Sequence, residues 1–335
     1  MDSVTQIALG AAVGESVLGT RVGHRAALWG AVCGTLPDLD VFVSFGDAVK
    51  DFTYHRSASH SLFVLAALTP LIVWLILKVH PHTTPYRWRW HLLVYLVLAT
   101  HALLDSFTVY GTQILWPFIT TPVGWSTIFI VDPLYTLPLL AGVTAALMMT
   151  RESPRGHRIN FVGLALSSGY LAWSVGAKLH VEEVAQRSLR DQGIAYERLL
   201  TTPTPFNTLL WRVVAMEKGA YYEGFYSVLD RRHELRVKRH STETWLLHGI
   251  ASHWPVHRLQ WFTKGFYSVN RQNEDVVMTD LRMGIEPYYV FRFKVGEVGN
   301  PHIKPTPSEQ LPGLRDLERL RSLWHRIWSP RVGPP

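Results

Sequence analysis

The sequence predicts an α-helical membrane bundle of about six membrane-embedded helices, followed by a small β-rich C-terminal domain. Three observations lead there. Only 18% of the 335 residues are charged while 47% are hydrophobic, whereas soluble domains carry roughly a quarter charged residues. The two halves differ, with long apolar stretches in residues 1–180 and most of the charge in 181–335. From residue 207 the long stretches give way to short runs rich in Val, Tyr, Phe and Trp, the residues that favour strands.

A helix needs about 20 mainly apolar residues to cross a bilayer. The clearest candidate runs from Leu62 to Leu77, with Lys78 placed to snorkel at its end. Further spans are read at about 91–109, 128–149 and 159–179. Two Gly- and Ala-rich helices precede them, at about 4–19 and 26–45, where Gly10, Gly14, Gly30 and Gly34 permit close helix contact. Loops 20–25, 78–90 and 150–158 carry Arg21 and Arg25, then Lys78, Arg87 and Arg89, then Arg151, Arg155 and Arg158. The positive-inside rule places these loops in the cytoplasm of a multi-pass inner-membrane protein and the C-terminal domain outside. No cleavable signal peptide is expected, because MDSVTQ lacks a basic leader.

Residues 181–206 read as a polar helix and a turn-rich linker, TTPTPF. Residues 207–300 read as a soluble antiparallel β domain, and 301–335 as a tail with an amphipathic helix. Leu317, Leu320, Trp324 and Ile327 share a face of that helix. The pentamer GFYSV occurs at 224–228 and again at 265–269, either a duplicated strand unit or a chance recurrence. The single cysteine, Cys33, excludes an intrachain disulfide and reads as a packing residue. A formal charge of +7 with 13 Trp fits a membrane surface at least as well as a nucleic acid. The basic run from Arg231 to Arg239 reads as a solvated strand or turn. Membrane lipid is the expected partner and nucleic acid is not; the oligomeric state is left open.

Ionisable side chains within apolar spans are expensive and therefore point to function. Here they recur at similar depth: Asp38 and Asp40 in TLPDLD, His55, Arg56 and His60 in YHRSASHS, His101 and Asp105 in HALLD, and Asp132 in VDP. HALLD stacks His101 and Asp105 one turn apart on a helix face. Pro37 makes a break plausible there, so that Asp38 and Asp40 could point to one place. Imidazole with carboxylate suits zinc, manganese or iron better than calcium. Arg56 could pair with a carboxylate or hold an anionic group. Each motif alone has a plainer reading: a hydrogen-bonded helix pair, a cap and turn, a polar loop. Together they read as a metal or catalytic cluster, with a polar network tying helices together as the alternative.

At these motifs the chain resembles the membrane-bound metal-dependent hydrolase family, the YdjM/YbcI group, in a subgroup with a C-terminal extension. The MDSVTQ start, the Gly-rich first helix, TLPDLD, HRSASHS and HALLD carry the resemblance over residues 1–135, and PTPFNTLLWR with YYEGFYSV extends it. It implies Asp38, Asp40, His60, His101 and Asp105 as ligands, with His55 and Asp132 behind them. The family start usually reads MDxxTH, and Gln6 stands here in place of that His; Glu15 could compensate, although nine residues on it faces away from Gln6 on a straight helix. The Asp and HxxxD elements are also distantly similar to zinc-dependent phospholipase C and its nuclease relatives, which implies phosphoester hydrolysis.

The expected function is therefore a membrane-embedded metal-dependent hydrolase acting on a phosphoester or lipid-linked substrate. The metal set is Asp38, Asp40, His55, His60, His101 and Asp105, and the catalytic set is Asp38, Arg56, His60 and Asp105. The cofactor is a divalent ion, zinc before manganese or iron. A non-enzymatic regulator or scaffold that uses the cluster structurally is the alternative, and a transporter ranks after it.

Overall fold

Two short helices rich in small residues, Ser3–Gly14 and Arg25–Thr35, open the chain. The computed structural model describes residues 1–149, 154–299, 302–313 and 317–329. Glycine is what lets the pair meet: a Cβ on Gly10 would strike the carbonyl of Gly30, and one on Gly30 that of Gly10. Contact without intervening side chains is the known use of small residues between membrane helices. The first helix continues into a π-helical turn, Glu15–Gly19.

The chain divides into two units. The first comprises Met1–Phe42 and His55–Ser174, and the second Val43–Tyr54 and Val175–Pro335. At the centre of the first lies the helix Arg87–Ser106, whose buried residues run from Trp90 to Ser106. Leu93, Val97 and Leu98 pack there with Cys33, Leu65 and Ile76. A second apolar cluster joins Leu9, Ala12, Tyr135 and Leu139, tying the helix Pro133–Met148 to the opening helix. Asp132 caps that helix by accepting the Leu134 N–H at 3.0 Å, with Pro133 in its first turn.

The expectation of six spans is overturned. Among the described residues only Leu62–Val79 is long and apolar enough to cross a membrane. It buries only Leu65, Thr69, Val73 and Ile76, at helical spacing, and is otherwise apolar around its circumference. The other stretches fail for separate reasons. The 26–45 stretch is an 11-residue helix that ends at Thr35 and gives way to a 3₁₀ turn, Pro37–Phe42. The 4–19 stretch is a 12-residue helix and its π turn. Pro133–Met148, at 16 residues, reaches about 24 Å at 1.5 Å per residue, short of a hydrocarbon core of about 30 Å. The 91–109 stretch lies in a helix that begins RWRW and carries His101 and Asp105. The 159–179 stretch is part of a 38-residue helix, Pro154–Asp191, whose second half is polar. Of loop 150–158, residues 150–153, with Arg151, lie outside the described residues, and 154–158 already belong to this helix.

The second unit is β-rich, as expected. β1 (Arg198–Pro203), β2 (Leu210–Glu217), β3 (Ala220–Ser227) and β4 (Val237–Ser241) form an antiparallel sheet in sequence order. The stretch read as a linker thus supplies its first strand. β5 (Tyr267–Gln272), β6 (Asp275–Asp280), β9 (Arg292–Glu297) and β10 (Lys304–Leu311) form a second sheet, ordered β10-β9-β6-β5. A short hairpin, β7 (Gly284–Ile285) with β8 (Tyr288–Tyr289), lies between them in sequence. The basic run ends in the edge strand β4, where exposed Lys238 and Arg239 discourage further pairing. The first GFYSV lies largely in the inner strand β3 and the second enters the edge strand β5, which favours recurrence over duplication.

Residues Ala177, Val181, Val184 and Ala185 of the long helix pack on Trp211, Val213 and Tyr226. The helix Leu317–Trp328 turns Leu323 and Ile327 onto Leu210 and Phe225, and Arg326 grips Asp230 with bonds of 2.9 and 2.6 Å. Trp324, read on the same apolar face, is exposed. Residues 314–316 of that tail lie outside the described residues.

Replacing Gly30 by Val should force the two opening helices apart. Overpacking of this kind costs about 1–3 kcal/mol, so the thermal unfolding midpoint in detergent should fall by a few degrees. An unchanged midpoint would show that the helices do not meet backbone to backbone.

Candidate metal centre

Three short backbone devices bring the polar residues together. Pro37 ends the Arg25–Thr35 helix and starts the 3₁₀ turn that carries Asp38 and Asp40. A second 3₁₀ turn, Ala58–His60, presents His60 just before Ser61 caps the Leu62–Val79 helix. His101 and Asp105 stand one turn apart near the end of Arg87–Ser106.

Asp38, His60, His101 and Asp105 converge, with one ligand atom from each lying within 4.8 Å of all the others. His60 Nε2 is 3.1 Å from Asp105 Oδ2, 3.5 Å from Asp38 Oδ1 and 3.2 Å from His101 Nε2. His101 Nε2 is 3.5 Å from Asp38 Oδ1 and 3.6 Å from Asp105 Oδ2. Four ligands at about 2.0–2.1 Å from a tetrahedral ion stand about 3.3 Å from one another, so these separations fit one divalent ion of that size.

The tautomers sharpen the fit. His101 Nδ1 lies 2.7 Å from the carbonyl oxygen of Gly34, which can only accept, so Nδ1 carries the proton. Ser59 donates its hydroxyl proton to Asp40 Oδ2 at 2.5 Å, so it accepts from His60 Nδ1 at 2.9 Å. With Nδ1 protonated, a neutral ring at each position would turn its Nε2 lone pair toward the carboxylate oxygens of Asp38 and Asp105. A His that donates its outer N–H to a carbonyl or hydroxyl while its inner nitrogen faces a shared centre is the usual arrangement around a metal.

Asp105 is held by its surroundings. Its Oδ1 meets the α-amino nitrogen of Met1 and accepts from Gln6 Nε2 at 3.1 Å. Its Oδ2 lies 3.1 Å from Arg56 Nε. Arg56 is buried, its NH1 donates to Thr108 Oγ1 at 3.3 Å, and its backbone adopts a left-handed φ of 62°. Asp40 and His55 stand beside the four as a pair, His55 Nδ1 lying 2.7 Å from Asp40 Oδ1, and the Arg56 N–H also donates to Asp40 at 2.9 Å. Burial opposes charge on Asp40, but the bonds from His55 and Ser59 outweigh it and hold the carboxyl below its usual range.

Of the expected metal set, Asp38, His60, His101 and Asp105 come together, while Asp40 and His55 form the adjoining pair. Asp132, the marginal candidate, is a helix cap that accepts Tyr170 OH at 2.9 Å. Glu15 lies 3.9 Å from His157 Nδ1 rather than at Gln6. Gln6 itself does reach the centre, through Asp105, and its Oε1 is buried with no hydrogen bond among the described residues. Ser59 and the Gly34 carbonyl were not singled out from sequence; Ser59 had a signal in lying between two motif residues, whereas a backbone carbonyl has none.

A family model described as YdjM inner membrane protein matches residues 1–181. The uncharacterized protein YfhP of Bacillus subtilis (strain 168) is 25% identical over 314 residues, covering 87% of this chain and 89% of its own. No solved structure matches.

Ser59→Ala removes the acceptor that fixes the His60 tautomer. Loss of such an outer partner weakens metal binding roughly 10–100-fold, which competition against a chelator of known affinity would measure. Unchanged affinity would mean that Ser59 does not orient His60.

Proposed function

The chain belongs to the YdjM inner membrane protein family, and on that premise we propose that it is a membrane-bound metal-dependent hydrolase. The observation that carries this reading is the convergence of two imidazole nitrogens and two carboxylate oxygens on one point. His/Asp donors favour zinc, with manganese or iron next. Such an ion supplies Lewis-acid chemistry, polarising an ester oxygen or making water ionise near neutrality.

The chain's own residues divide the remaining work. His60, His101 and Asp105 are buried and hold the ion, while Asp38, 24% exposed, marks the side from which substrate enters. Arg56 holds Asp105 in place and offsets its charge. Around the entry Leu39, Val41 and Phe42 are exposed. An apolar rim beside a polar centre supports an amphiphilic substrate, a phosphoester or lipid-linked molecule. Leu62–Val79 anchors the chain. Lys78 stands in its last turn, and Arg87 and Arg89 follow it, which favours the cytoplasm for its C-terminal end and the outer face for His60.

The burial of three of the four residues also suits a closed structural ion, as a scaffold protein would use it. Two measurements separate the readings. Wild-type protein purified in detergent without chelator should carry a divalent metal, and His101→Ala should lose it. Wild type should also hydrolyse one of a panel of phospholipids and lipid phosphates, and Asp38→Ala should not. Metal without turnover supports the scaffold reading; a metal-free wild type ends the hydrolase reading.

A further inference from the structure

The segment joining the two halves of the centre is packed in the second unit. Asp38 and Asp40 precede Val43–Tyr54, and His55, Arg56 and His60 follow it. Only Val41 and Phe42 separate Asp40 from the segment, and His55 comes directly after Tyr54. Within the second unit this segment forms a helix, Ala48–Tyr54, whose Val49, Phe52 and Thr53 are buried. The Phe52 ring lies 4.8 Å from that of Phe262, edge to face. Arg258 Nε donates to Thr53 Oγ1 at 2.9 Å, and Ser308 Oγ donates to Asp47 Oδ2 at 2.6 Å. Two separate elements of the second unit, the helix Trp254–Phe262 and the strand β10, thus hold twelve residues that are covalently continuous with site residues at both ends.

Holding such a connector restricts the freedom of its flanks, and ligands that are already restricted lose less entropy when they bind an ion. We propose that the second unit is a positioning element for the metal centre, acting through its hold on Phe52 and Thr53. Phe262 and Arg258 are positioning residues, remote in sequence from every ligand. This rests on the metal reading above, and its test has a readout that does not.

The experiment uses the full chain in detergent and compares wild type with Arg258→Ala, Arg258→Lys and Phe52→Ala. Two quantities are read: metal affinity by chelator competition, and hydrogen exchange of residues 37–42 and 55–61. Arg258→Ala is expected to weaken metal binding by about tenfold, the lower end for loss of an outer-shell partner, and to speed exchange at 55–61. Arg258→Lys, which keeps a donor for Thr53, should recover part of both. If exchange rises within 48–54 while 37–42, 55–61 and the metal affinity stay as in wild type, the proposal is overturned. Should wild type bind no metal, the hydrolase reading fails and exchange at 55–61 still decides this one. Should Phe52→Ala unfold the second unit, seen as fast exchange in 210–227, the half-buried Arg258 decides.

Discussion

His60 and His101 each donate their Nδ1 proton to a neighbour, and that single arrangement makes the first unit unusual. In neutral rings it would turn two nitrogen lone pairs toward two carboxylate oxygens, nearly all out of contact with water. Burying ionised carboxylates is unfavourable unless opposite charge and hydrogen bonds compensate. On Asp105 the Met1 amine, Gln6 and Arg56 supply that compensation. A cation held between neutral rings and these carboxylates would be attracted by both, and in a site not present in the unfolded chain its binding energy becomes folding energy. The ion would therefore belong to the fold as much as to the chemistry.

The scaffold around the centre follows from the same requirement. His101 can be fixed by the Gly34 carbonyl only if the Arg25–Thr35 helix lies close to Arg87–Ser106. That helix is in turn set against the opening helix by Gly10 and Gly30. Arg56 shows the same linkage at the backbone. A non-glycine residue at φ 62° is strained by on the order of 1 kcal/mol or more. In that conformation its N–H reaches Asp40 and its carbonyl accepts the Gln113 N–H at 2.9 Å, while the guanidinium reaches Asp105. One strained residue thus connects both carboxylate-bearing stretches.

Asp38, His60, His101 and Asp105 were legible because each is polar within an apolar neighbourhood, a contrast that survives without any knowledge of distance. The split between ligand and support was not. Asp40 and His55 have the same residue types as the converging four, and only three-dimensional placement shows them paired with each other. Asp132 was misplaced although VDP carries a local signal, since an acidic residue before a proline at a helix start is a cap. The span count failed for a related reason. Apolar length is read along the chain, but Pro37 ends one helix at half the needed length, and residues 43–54 leave the first unit altogether. An average over a window cannot register a break that redirects the chain.

In the proposed reading, substrate selection would follow from what the centre leaves open. Of its members only Asp38 meets solvent to any extent, and its neighbours in the 3₁₀ turn, Leu39, Val41 and Phe42, are exposed and apolar. A fully polar molecule would reach the ion but gain nothing from that rim, and a fully apolar one would gain from the rim but offer the ion no ligand. A molecule carrying both parts satisfies both surfaces. His60 lies two residues before Leu62–Val79, which is long and apolar enough to cross a membrane. In the proposed reading, the exposed apolar turn and the buried polar centre would together favour an amphiphile.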